Sequence, residues 1–310
     1  MTAKQPKRLP VILQDLPPVY HANYSYFGPL EQRSAFEAQP AGAMSWTNAW
    51  WLADFSLLAY CGRADIDVGL IDTGFSVRPH HVVEVDALQC VIATSSEAIV
   101  VAFRGTQAPH FRQDVVFDFI SPTLASGQNW LTNLETELVP FATHAGRRPG
   151  LVHAGFLDAF TKLQSGVNSA LQELLAERPR PVWYAGHSLG GALATLAAAW
   201  FGNGTGLYVF GCPRVGDDKF VAEFPQCTSV WRFCNSGDPV ALVPPRSNLV
   251  ARVWSGAAYL HAGTAIWLDG AATPVQSVDP YEPLAIPNPR KHAPMLYSNV
   301  IWNYLASAGV

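Results

Sequence analysis

The stretch from Pro181 to Phe210 constrains the fold more than any other part of the chain. Pro181-Val-Trp-Tyr-Ala185 reads as a strand, Leu189 to Phe201 as a helix, and Gly206-Leu-Tyr-Val-Phe210 as a second strand. The helix carries Gly191, Ala192, Ala194, Ala197, Ala198 and Ala199, side chains small enough to let it lie close against a sheet. A strand–helix–strand unit of this kind is the building block of a mainly parallel sheet.

The alternation continues on both sides. Trp51, Leu52, Phe55, Leu58 and Ala59 recur at steps of three or four, so a helix with one apolar face is expected from Trp46. Val91 to Thr94 and Ala98-Ile-Val-Val-Ala-Phe103 follow as strands, the second an unbroken apolar run suited to burial on both faces. A long helix spans Gly155 to Glu177, with Phe156, Phe160, Leu163, Val167, Leu171 and Leu174 on one stripe, and Pro179 and Pro181 end it. Ser229 to Phe233 is the next strand, with shorter β pieces at Ala251 to Trp254 and Ala265 to Leu268. A loop punctuated by Pro274, Pro280, Pro283, Pro287 and Pro289 leads to a last helix from Ala293 to Leu305. The reading is α/β, a mainly parallel sheet with helices on both faces. Residues 1–45, broken by six prolines, form an irregular arm, and residues 46–310 a single domain.

Composition removes several function classes. Hydrophobic residues make up 49 % and charged residues 14 %, against roughly 25 % charged in average soluble domains. That excludes disorder. A net charge of −4 without basic clusters gives no nucleic-acid surface. The longest apolar run, Ala192 to Phe201, is about half the roughly 18 residues a membrane span needs, so no transmembrane segment is expected. Val11 to Leu13 is too short for a secretory h-region, and no leader is expected either. The five cysteines form no CxxC pair and read as mostly reduced core residues. His80-His81 follows Pro79 in a polar turn and reads as solvated; without an HxH, HExxH or Cys/His cluster, neither metal nor cofactor is expected.

Gly186-His-Ser-Leu-Gly-Gly191 is the motif that carries chemistry. It matches G-x-S-x-G between a strand and a helix, where a tight turn exposes the Ser188 hydroxyl and leaves room only for glycine two residues to either side. A Gly-rich turn with a chance serine is the plainer account, but it explains neither the strand before nor the Ala-rich helix after. Gly202-Asn-Gly-Thr-Gly206, by contrast, follows a helix instead of opening one and is a turn, not a phosphate cradle. A serine hydroxyl needs a base, and the base a carboxylate to orient it, in the chain order Ser, acid, His. Two histidines follow Ser188, His261 and His292. The acids between are Asp217, Asp218, Glu223, Asp238, Asp269, Asp279 and Glu282. Asp238 falls on a loop just beyond a strand, at the sheet edge where catalytic groups gather.

Seven further segments, in order, resemble the fungal-type triacylglycerol lipases, the class 3 lipases of the α/β-hydrolase superfamily. Ile99-Val-Val-Ala-Phe-Arg-Gly-Thr106 is similar to the family's strand and oxyanion turn, and Asn129 to Leu134 and Val152 to Phe156 to segments that follow it. Tyr208 to Gly216 is similar to the strand after the nucleophile helix, with Cys212 where a small residue is usual. Asn235 to Pro245 resembles the D-P-V-x-x-x-P-P loop of the catalytic acid. Tyr259-Leu-His-Ala-Gly263 resembles a structural strand, and Lys291-His292 with Tyr297 the catalytic histidine segment.

The resemblance implies an α/β-hydrolase fold and the triad Ser188, Asp238 and His292, with an oxyanion hole from the backbone N–H groups of Thr106 and Leu189. It implies an acylglycerol or other ester substrate met at a lipid–water interface. Phe111, Val115, Val116, Phe117, Phe119 and Ile120, directly after Thr106, lead to the separate expectation of a mobile apolar cover over Gln107 to about Ser126. Short-chain or feruloyl-type esterase and phospholipase A1 are the enzymatic alternatives. A lipid-binding relative without turnover is the alternative outside enzymes.

Overall fold

Ile99-Val-Val-Ala-Phe103 has no polar side to turn to water, so it needs cover on both faces. The computed structural model describes residues 24, 26–39, 44–106, 137–244, 246, 258–268, 275–277 and 286–308. In it this run is β3 (Ile99–Phe103), with every residue buried. The expected cover over Gln107 to Ser126, the Asn129 to Leu134 segment and the β piece Ala251 to Trp254 lie outside the described residues.

Among the described residues the main sheet has eight strands, in the order β1 (Val82–Val85), β2 (Leu88–Thr94), β3, β6 (Val182–His187), β7 (Gly204–Phe210), β8 (Ser229–Asn235), β9 (Thr264–Leu268) and β10 (Val275–Ser277). The five central strands β3, β6, β7, β8 and β9 run parallel, and antiparallel strands close both edges. A separate hairpin pairs β4 (Leu138–Phe141) with β5 (Gly150–His153).

Successive side chains of β3, β6 and β7 serve two cores. Val101, Tyr184 and Val209 face α3 (Ala154–Glu177) and α4 (Leu189–Phe201). Val100, Trp183 and Tyr208 face α1 (Trp46–Leu58) and the last helix, α6 (Pro294–Ala308). Two short helices, α2 (Arg63–Gly69) and α5 (Asp218–Ala222), complete the set among the described residues. The stripe on α3 forms as its periodicity requires: Phe156, Phe160, Leu163, Val167, Leu171 and Leu174 are all buried. Each fully buried side chain of this size is worth about 1.5–3 kcal/mol relative to exposure. Among the described residues no helix is long and apolar enough to cross a membrane.

Three local expectations are corrected. The helix α1 is buried all round, not along one face, because Tyr24 and residues 26–39 lie over the side that would have met water. Asp54 in its middle is satisfied there by Phe27 N–H at 2.6 Å, Tyr24 Oη at 2.8 Å and Ser298 Oγ at 2.5 Å. The Gly202 to Gly206 turn is shorter than expected: Gly202, at φ +66°, ends α4, and β7 already begins at Gly204. His81 is not solvated; it is fully buried where the turn before β1 packs on α3, and only His80 reaches water.

Candidate active site

Ser188 stands between β6 and α4 at φ +57° and ψ −128°. Few residues other than glycine adopt such values, and they persist only where the surroundings impose them. Here the Ser188 N–H donates to the Phe210 carbonyl on β7 at 2.9 Å, and its own carbonyl accepts from Gly191 N–H at 2.9 Å. A Cβ on Gly186 would strike the Gly190 backbone, and one on Gly190 would strike the Phe103 carbonyl at the end of β3. The spacing of the motif is therefore a record of three backbones in contact. Cys212 packs on Gly191, and burial pushes its thiol up to about 12, so it acts as an apolar filler.

Asp238 lies on the loop after β8 and is 1 % exposed. Its Oδ1 accepts from Val240 N–H at 2.8 Å, which fixes the carboxylate plane. Its Oδ2 faces His292 Nδ1 at 2.8 Å and accepts from Tyr297 Oη at 2.5 Å. A carboxylate only accepts, so Nδ1 carries a proton, and in the neutral imidazole Nε2 is the nitrogen that offers a lone pair. His292 closes a short turn before α6, and Asn235 Nδ2 holds that turn through the Lys291 carbonyl at 2.9 Å.

His187 joins this pair to the elbow. Its Nε2 donates to the His292 carbonyl at 2.7 Å, and its Nδ1 accepts from Tyr60 Oη at 2.9 Å. Burial, with the nearby His292, holds His187 well below the ordinary histidine range. It is neutral, with one proton to give and one lone pair to offer. Since His187 precedes Ser188 directly, the His292 main chain is pinned beside the serine. The end of β7 completes the contact: a Cβ on Gly211 would meet Asp238 Oδ2 at 2.7 Å and His292 Nδ1 at 2.9 Å.

Thr106 and Leu189 come to the same corner. Leu189 opens α4, where first-turn N–H groups have no partner within the helix and carry partial positive charge. Gly105 packs against the His187 carbonyl and Tyr60 Oη, which brings Thr106 alongside.

Two of the competing candidates, His261 and Asp217, are elsewhere, while Asp269, Asp279 and Glu282 lie outside the described residues. His261 Nε2 bonds the Ala241 carbonyl at 2.9 Å and so braces the loop after Asp238. Asp217 caps α5 through Phe220 N–H at 2.7 Å. Two residues of the site carry no sequence signal that assigns them. Tyr297 stands at the expected spacing after His292, but nothing in the spacing aims its hydroxyl at Asp238. Tyr60 comes from α1's C-terminal end, more than a hundred residues before its partner.

Comparison with known proteins agrees with this geometry. Residues 100–248 match the family model described as lipase (class 3). Over 148 residues the chain is 34 % identical to secreted mono- and diacylglycerol lipase 1 of Fusarium solani, covering 46 % of this chain and 41 % of that protein. Over 231 residues it is 29 % identical to secreted mono- and diacylglycerol lipase 2 of Gibberella zeae, covering 65 % and 50 %. The chain thus spans half or less of these curated relatives. Among solved structures, the Rhizomucor miehei lipase–propeptide complex superposes with a TM-score of 0.54 at 21 % identity, covering 81 % of this chain and 77 % of that one. At that identity the likeness speaks for the fold alone, and the fold is the α/β-hydrolase fold. The matched segment runs from β3 through the elbow to the Asp238 loop, and over it the chain is similar to the class 3 lipases.

Proposed function

We propose that this chain is a serine carboxylester hydrolase acting on acylglycerols. The observation that carries the reading is the Asp238–His292 pair, 2.8 Å apart and buried, tied through His187 to a serine held at φ +57°. Ser188 Oγ attacks the ester carbonyl and passes its proton to His292 Nε2. Asp238 stabilises the imidazolium that results. The backbone N–H groups of Leu189 and Thr106 receive the charge on the carbonyl oxygen, each such donor being worth about 10² to 10³ in rate. His292 then returns the proton to the leaving alcohol, and water resolves the acyl-enzyme by the same steps in reverse order. The acylglycerol preference is supported by what the Fusarium and Gibberella relatives are named for.

The test is a p-nitrophenyl ester series from acetate to palmitate, with mono-, di- and triacylglycerols and a phospholipid alongside, on the parent and on Ser188→Ala. Acylglycerol turnover lost in Ser188→Ala, with one organophosphonate adduct on Ser188 of the parent, is the expected result. Turnover confined to acetate would make it a short-chain esterase. Turnover confined to phospholipid would make it a phospholipase A1. Full activity in Ser188→Ala would overturn the mechanism.

A further inference from the structure

At the opposite end of the sheet, the fold collects ligand-type side chains that sequence spacing does not reveal. His80 and His81 stand on the turn before β1, and Glu173 on the C-terminal part of α3. Glu173 Oε2 lies 2.9 Å from His80 Nε2 and 3.5 Å from His81 Nε2. One ligand atom from each of the three lies within 4.8 Å of the others. Around a tetrahedral ion with bonds of about 2.0–2.1 Å, donor atoms sit roughly 3.3 Å apart, so the two measured separations straddle the spacing one ion needs.

His81 supplies an independent reason to look for a ligand. The residue is fully buried, yet neither ring nitrogen has a hydrogen-bond partner among the described residues. Its Nε2 approaches Glu173 at ion-pair distance without hydrogen-bond geometry. An imidazole buried in this state is costly, and a bound ion would take up one of its lone pairs. Glu173 is a carboxylate over the whole neutral range, held down at about 2 by the hydrogen bond from His80 and by Arg78. Arg78 Nη1 occupies the other oxygen, Oε1, leaving Oε2 for a single bond.

We propose that His80, His81 and Glu173 form a binding site for one divalent transition metal ion, Zn²⁺, with water in the fourth position on the exposed side of His80. Two imidazoles and one carboxylate suit zinc, whereas calcium and magnesium take oxygen ligands. When the ion binds, the proton now between His80 Nε2 and Glu173 moves to His80 Nδ1 or leaves to solvent. The Arg78 charge keeps the affinity below that of a four-ligand structural site. Glu173 lies toward the end of α3 that leads into the start of β6, while Ser188 follows the end of β6. The six residues of that strand span about 20 Å. The ion therefore clips the turn before the edge strand β1 to α3 and takes no part in chemistry at Ser188.

The experiment uses the full chain without a polyhistidine tag, stripped with EDTA and titrated with ZnCl₂ by calorimetry, with Tm followed in parallel. The expected result is one Zn²⁺ per chain and a Tm that climbs with zinc concentration. His80→Ala and Glu173→Gln should each weaken binding tenfold or more and remove the rise in Tm. His144→Ala and Cys227→Ser, which alter exposed ligand-type residues elsewhere, should leave both intact. His80 is exposed, so its removal spares the fold, as circular dichroism will verify. Co²⁺ should give the visible absorption of a tetrahedral site in the parent and not in the two site variants. No binding by the parent, binding undiminished in either site variant, or equal weakening in the controls would overturn the proposal.

Discussion

Tyr297 Oη donates to Asp238 Oδ2 at 2.5 Å, on the same carboxylate oxygen that faces His292 Nδ1. The hydroxyl also accepts from Asn235 N–H at 3.1 Å, so its own orientation is fixed from the strand that precedes the acid. The acid is thereby prevented from rotating away from the imidazole, and its charge is spread over two donors. Burial and the adjacent Asp238 together push the Tyr297 phenol well above its usual range, so it remains a donor at any working pH.

Tyr297→Phe tests that arrangement. A hydrogen bond to a charged acceptor is worth about 1.5 kcal/mol or more, and 1.36 kcal/mol corresponds to a tenfold change in rate. The variant should lose about tenfold in kcat on a soluble ester while KM stays nearly constant. Its Tm should fall only slightly, since the ring remains among Phe210 and His187. An unchanged kcat would show that Val240 N–H alone orients the carboxylate.

His187 tests the link between serine and base. His187→Ala removes the donor to the His292 carbonyl, and misplacement of a reacting group by about 1 Å can cost on the order of 10²-fold. A loss of this order in kcat is expected, with a smaller loss in Tyr60→Phe, which removes only the partner at Nδ1. Crystal structures of the two variants would locate the His292 main chain; a base that stays in place, with kcat intact, contradicts the role.

His261→Ala should separate stability from turnover. The imidazole braces the Ala241 carbonyl, and leaving a buried acceptor unpaired costs about 1–3 kcal/mol. Urea unfolding should register that loss. At temperatures where the variant is folded, its kcat should remain within a few-fold of the parent, whereas His292→Ala should lose several powers of ten. Equal losses in two well-folded variants would reopen the choice between the histidines.

Acid should destabilise the fold through its buried histidines. His153 caps α3 by accepting from Gly155 N–H, is 3 % exposed, and is held down at about 4 by burial. Because the folded value lies below the unfolded one of about 6.5, the unfolded chain takes up the proton first. The stabilisation is complete above about pH 6.5 and disappears as the pH falls toward 4. At 1.36 kcal/mol per unit this one residue accounts for about 3 kcal/mol, and His187 and His261, also held low by burial, act in the same direction. Urea midpoints should decline through that window, and His153→Leu should flatten part of the decline. Midpoints that stay level would contradict it.

Much of this was legible in the chain itself. The order of the central strands β3, β6, β7, β8 and β9, the bounds of α4 and the stripe of α3 follow from the residues of each segment, because each element buries a side that its own residues define. The strand β1, the helix α2, the β4–β5 hairpin and β10 carry no such mark. The elbow was legible for a harder reason: any Cβ at Gly186 or Gly190 would strike the backbone of α4 or β3, so both positions require glycine. Periodicity failed for α1, because a helix covered on every side has no polar face to mark. It failed for His81 as well, since a polar residue in a turn shows no trace of the helix that packs over it.

The sequence by itself determined an α/β sheet, a serine on a strained turn, and a short set of acids and histidines that follow it in order. Only the tertiary structure decided which of them meet. Asp238 and His292 are 54 residues apart and touch because β8 ends and α6 begins at the same edge of the sheet. Tyr60 meets His187 across 127 residues for the same reason. Local periodicity records what a segment buries, but a hydrogen bond between distant residues depends on where whole elements pack, and no single segment encodes that.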